Sequence, residues 1–240
     1  MKISNPTFFI GIVESIKDDD KLGRVKVRLL QGQDPSSTGI GTDDLILAYP
    51  LMPVHGGTHL GIGVTPVGQL IGSSVVGLYI PGAGGGRGSG AWILGSWPVI
   101  QSGDHALSSY SRGQGPVQKD YVDGVEPKSQ YAAEYPYNKT ITTRNGHVIE
   151  LDDTPGKGRI HVFHSSGSYI EMNPDGSIVT KAMGDDLSVT MNNKSMVAIT
   201  GDVKIIASDG QITIISEKDI NVQSNAGVVR VLAPRVEINA

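Results

Sequence analysis

Two acidic clusters, Asp18-Asp19-Asp20 and Glu150 with Asp152 and Asp153, are the groups best suited to acid–base chemistry. Glycoside hydrolysis needs one carboxyl group kept protonated in an apolar cleft and a second at a controlled separation. Both clusters read as solvated turn carboxylates, so no catalytic residue is assigned and no enzymatic activity is expected. His55 and His59 (HGGTH) have a spacing that ligates metal on a helix, but their glycines and the nearby Pro53 make the segment a loop. His161 and His164 are three apart on a strand, hence on opposite faces, and read as surface or turn residues. Residues 82–90 (GAGGGRGSG) match no phosphate-loop pattern and precede no helix. They read as a loop facing a partner or solvent. No metal and no cofactor is expected.

Arg24, Lys26 and Arg28 form a basic stripe along one strand. Single-strand nucleic-acid binders stack bases on aromatics within a basic groove. Here the net charge is −4, and Phe8, Phe9, Trp92 and Trp97 fall at the ends of their module, so nucleic acid is not expected as a partner. The stripe reads instead as a solvated face or as salt-bridge partners for another protein.

The elements behind these residues are strands and turns. The 240 residues contain 32 glycines and no cysteine, which suits an all-β chain without disulfides or Cys-based metal sites. No signal-peptide plan opens the sequence and no run approaches the roughly 20 apolar residues of a membrane helix. A soluble protein is expected. Residues 8–16, 24–30, 45–50, 74–80 and 91–95 read as five short strands of a small barrel such as an OB-fold. Residues 101–139 are polar and turn-rich yet carry five of the eight tyrosines: Tyr110, Tyr121, Tyr131, Tyr135 and Tyr137. Such a connection is expected to lie against a surface, its own or a partner's. Strands follow at residues 141–144, 147–152, 159–163 and 169–172, separated by turns such as Asn145-Gly146.

From Gly176 a glycine or polar residue recurs every eight or nine positions, each time followed by alternating branched residues, as in GDVKIIASD and GQITIISEK. Turns of similar spacing begin near Gly158. The inward set is Val203, Ile205, Ile212, Ile214, Ile220, Val222, Val229, Val231, Val236 and Ile238, with Lys204, Thr213, Asn221, Arg230 and Glu237 outward. Full burial of each inward side chain contributes roughly 1.5–3 kcal/mol. One strand per unit cannot bury its own apolar face. A single winding chain stays open as a solution, although solenoid coils usually run to about 20 or more residues. Three chains around a common axis supply three faces and form a triangular prism about 45 Å long.

Residues 8–29 (FFIGIVESIKDDDKLGRVKVRL) resemble the first hairpin of the OB-fold domain in the central spike proteins of contractile phage tails. Residues 63–68 (GVTPVG), 72–80 (GSSVVGLYI) and 91–97 (AWILGSW) resemble its later strands. Residues 146–153 (GHVIELDD), 164–168 (HSSGS) and 169–177 (YIEMNPDGS) resemble the start of a trimeric β-prism. That signature is shared by phage spikes, baseplate assembly protein V and the valine-glycine repeat spikes of type VI secretion. The resemblance implies an OB-fold docking domain (1–100), the connection (101–139) and an intertwined trimeric β-helix (140–240). It also implies a homotrimer in the virion's tail baseplate that docks on a hub protein and punctures the bacterial envelope. A type VI or related injection spike is the alternative, with a free OB binding module and solenoid tail as a third class. Some members carry a lysozyme domain between barrel and prism, for which the connection is too short. Others end in an iron-binding histidine apex, whereas the last histidine here is His164. Val236, Ile238 and Ala240 are therefore expected to contact a separate tip protein.

Overall fold

A computed structural model describes residues 5–30, 39–54, 65–66, 68–81, 90–98 and 125–237. Five strands close an N-terminal barrel: β1 (Thr7–Ser15), β2 (Val25–Leu29), β3 (Ile46–Pro50), β4 (Ser74–Tyr79) and β5 (Ala91–Trp97). Their order is β1-β2-β3-β5-β4, the closed order expected of an OB-fold, with only β3 and β5 parallel. The strands lie where alternation put them, with ends shifted by one or two residues. Phe9 and Val13 of β1 point inward and pack with Val25, Val27, Ala48, Val75, Ala91 and Ile93. The ring of Phe9 fills the space a Cβ would need at Gly77, so this close approach of β1 and β4 requires glycine.

A second sheet follows, built from β6 (Asn138–Thr142), β7 (Val148–Asp152), β8 (Arg159–Phe163), β9 (Tyr169–Met172) and β10 (Ile178–Lys181). Its order is β10-β9-β8-β7-β6, each strand antiparallel to its neighbour. As far as Lys181 the strands fold back on one another within the chain, because glycines in the left-handed region reverse it. Gly146 (φ +82) and Gly176 (φ +83) close hairpins by donating to Thr143 and Asn173 carbonyls at 3.0 and 2.9 Å.

Residues 187–240 form a separate unit. From residue 182 to 237 every side chain is exposed and no strand pairing is present. Turns and bends alternate there with irregular segments that pair with no strand among the described residues.

Candidate functional site

The antiparallel register of the second sheet sorts its side chains into two faces of opposite chemistry. Across one face, Thr140, Glu150, His161, Glu171 and Val179 stand opposite one another from β6 to β10. Across the other run Ile141, Ile149, Val162, Ile170 and Thr180, beside a second row of Leu151, Ile160, Met172 and Ile178. The distribution of burial reverses the ordinary one. Glu150 is 0% exposed and His161 2%, while Ile149 is 47% exposed and Val162 46%.

The polar face is covered by residues 125–137. Arg159 lies at its centre, its Nη2 donating to Glu150 and its Nη1 to both Glu171 and Ser129. Tyr131 stacks on the same guanidinium, 4.9 Å from carbon to ring centroid. Asn138 donates to the second Glu150 oxygen at 2.8 Å. Burial pushes the Glu150 carboxyl up from its ordinary value, against the opposing pull of Arg159. His161 lies 4.0 Å from Glu150 and 3.9 Å from Glu171, yet burial, aided by Arg159, lowers it to about 4 and keeps it neutral. Asp152 accepts from the Thr154 amide and hydroxyl at 2.9 and 2.6 Å. Glu150, Asp152 and His161, expected at turns or in solvent, are therefore buried. Of the acidic cluster, Asp153 does reach the surface, paired with Lys139. His164 is exposed and accepts from the Ser166 amide.

The apolar face carries no covering element among the described residues. Ile141, Ile149, Val162 and Ile170 line a shallow hollow of about 460 Å³ on it, rimmed by His147, His164 and Lys181. Its aliphatic rows were not singled out from the sequence, although the alternation in VIELD, RIHVF and YIEM carries them. The chain's repeat continues their phase. Ile178 and Thr180 stand two and four positions after Gly176, as do Val203 and Ile205 after Gly201, Ile212 and Ile214 after Gly210, and Val229 and Val231 after Gly227. Val203, Ile205, Ile212, Ile214, Ile220, Val222, Val229, Val231 and Val236 are all exposed in the single chain. Ile238 and Ala240 lie outside the described residues, as do Tyr110, Tyr121, His55 and His59.

On the barrel, Arg24 and Arg28 of the basic stripe are buried, while Lys26 is half-buried at the surface. Arg24 is 5% exposed and binds Asp18 and Asp20, with Tyr49 beneath it at 5.5 Å. Arg28 pairs with Glu14 and reaches the Ile40 carbonyl at 3.1 Å, and Lys26 donates to the Asp43 carbonyl at 2.7 Å. Asp18, also expected to be solvated, accepts from the amides of Asp20, Leu22 and Arg24 as well as from the guanidinium. The Arg24 hydrogen bond leads the effects that hold its carboxyl down to about 2. Each cation of the stripe thus has its own acidic partner within the barrel. The charged turn is a folded clamp rather than a loose loop.

A closed five-strand barrel followed by a five-strand sheet, one face of which is apolar and uncovered among the described residues, defines an all-β protein. Residues 138–202 match the phage baseplate V C-terminal trimerisation domain. Protein Gp5 of Vibrio phage KVP40 is 27% identical over 264 aligned residues, covering 82% of this chain and 62% of that protein. The pre-baseplate central spike protein Gp5 of Enterobacteria phage T4 is 38% identical over 87 residues, 36% of this chain and 15% of that protein. The chain spans less than two thirds of the length of either relative. These matches make the chain similar to phage baseplate and central-spike proteins.

Proposed function

We propose that this protein is a structural spike of a contractile tail baseplate, a homotrimer that docks through its barrel on a hub protein and is driven through the bacterial envelope. The observation that carries the reading is the exposure of every residue from 182 to 237, with aliphatic side chains at a fixed phase. Roughly 25 cal/mol is gained for each Å² of apolar surface removed from water, and among the described residues nothing covers the aliphatic side chains of 182–237. Two further copies supply the missing ladder partners and the missing core together. The aliphatic rows of β6–β10 offer a second uncovered apolar surface of the same chemistry. The reading gives the protein no catalytic group: it contributes stiffness, and the force comes from contraction of the tail. Its place is the virion baseplate.

Light scattering on the purified full chain tests the reading directly. A mass near three times 25.3 kDa supports it, and a mass of 25.3 kDa at micromolar concentration overturns it.

A further inference from the structure

Residues 125–137 do more than cover a polar surface. They cross the whole sheet before joining it, starting over one edge and becoming the other. Glu126 accepts from Tyr169 of β9 at 2.8 Å and Lys181 of β10 at 2.7 Å. Ser129 bridges Glu171 of β9 and Arg159 of β8, and Gln130 donates to Asp175 in the β9–β10 turn at 2.7 Å. The Glu134 amide donates to Thr154 at 3.0 Å and its carboxylate accepts from Lys157 at 2.6 Å, both in the β7–β8 turn. The next turn of chain is β6, the edge opposite β10. This segment lies immediately before the residues that match the trimerisation domain.

We infer that residues 125–137 are a tension strap, locked at its centre by Arg159, through which a pull or push on the chain before the sheet is spread over all five strands. Without it, force would arrive at Asn138 and peel β6 from the edge one hydrogen bond at a time. With it, force meets Glu126 on the far edge first. The contacts of Ser129 and Tyr131 with Arg159 and Glu171 follow, and stripping them would open the buried ion cluster beneath to water. The strap also seals the polar face, so that only the aliphatic face is left to assemble. What the tension is for rests on the spike reading; the strap itself does not.

The test uses the full chain, comparing wild type with the E126Q/Y131A double variant, which loosens the strap and leaves the Glu150–Arg159–Glu171 cluster within the sheet. Hydrogen exchange should accelerate at least about tenfold across residues 125–137 and change little in β7–β9. The sequence has no cysteine, so single cysteines introduced at Asn5 and Lys204 give unambiguous handles for pulling one labelled chain per assembly. The force of the first rupture should fall by about half in the variant. Unchanged exchange in the strap, or an unchanged first rupture, overturns the inference. The assembly mass, measured separately, reports on the spike reading alone.

Discussion

His161 stands directly opposite Glu150 across the β7–β8 pair, 4.0 Å from its carboxylate, and is nevertheless the neutral member of the cluster. Burial outweighs the carboxylate because Arg159 already occupies it. The folded state therefore binds fewer protons at this imidazole than the unfolded chain, whose value is 6.5. The contribution is complete above about pH 6.5 and is lost as pH falls toward 4. Glu150, raised by burial, runs the other way: its contribution is present at low pH and declines as pH rises. His161→Gln stays neutral throughout and should remove the acid-side loss. Amide protection in β7 and β8, corrected for intrinsic exchange, should fall about tenfold or more in wild type between pH 7.5 and 5, a tenfold fall corresponding to ~1.4 kcal/mol. An equal fall in the variant would count against this assignment.

Val162 lies on the uncovered face of the second sheet, and Ile212 lies on the inward phase of the proposed prism. A buried unpaired charge costs several kcal/mol, and a trimer would hold three at each position. Val162→Asp and Ile212→Asp should each give chains of 25.3 kDa by light scattering. Lys204→Glu, on the outward phase, should keep the full assembly. A trimer that survives Ile212→Asp sinks this register of the prism.

Asp18 organises the β1–β2 connection through three amides and the Arg24 guanidinium. Asp18→Ala leaves Arg24 buried without its main partner and should cost the barrel about 3–5 kcal/mol. The two tryptophans of the chain, Trp92 and Trp97, both sit in β5, so their fluorescence reports on the barrel. With the carboxyl held down to about 2 against an ordinary 3.8, the wild-type advantage persists at pH 4.5 and disappears only as pH falls through that range. Loss of the difference already at pH 4.5 would contradict the clamp.

Gly77→Ala places a methyl group in the ring of Phe9. Overpacking of this kind costs typically about 1–3 kcal/mol. The same fluorescence readout should show that loss, and Phe9→Leu in the Gly77→Ala background should recover part of it. If the double variant is no more stable than the single one, the clash lies elsewhere.

Strand positions were legible because alternation and turn chemistry are local: residues 159–163 and 169–172 were delimited correctly from them. The choice of which face is covered was not local. Ser129 and Glu171 are 42 positions apart, and nothing in either neighbourhood announces the other. The period-two pattern in VIELD fixes that Glu150 and Asp152 share a face but not that this face is the buried one. The tyrosine-rich connection was the usable sign, and its described part does lie on a surface of its own chain. The clamp around Asp18 escaped for a related reason, since a run of three aspartates reads as solvated until Arg24 is seen to fold back on it.

The exposed stretch from 182 to 237 also governs how the protein is made. A chain that cannot shield its aliphatic residues alone has no safe monomeric life. In the proposed trimer, shielding requires two partners to arrive, so the productive route would rise steeply with local concentration while off-pathway strand pairing competes throughout. Newly made chains that stay near one another, as on a shared message, would hold the advantage, and dilution should favour precipitation over correct assembly.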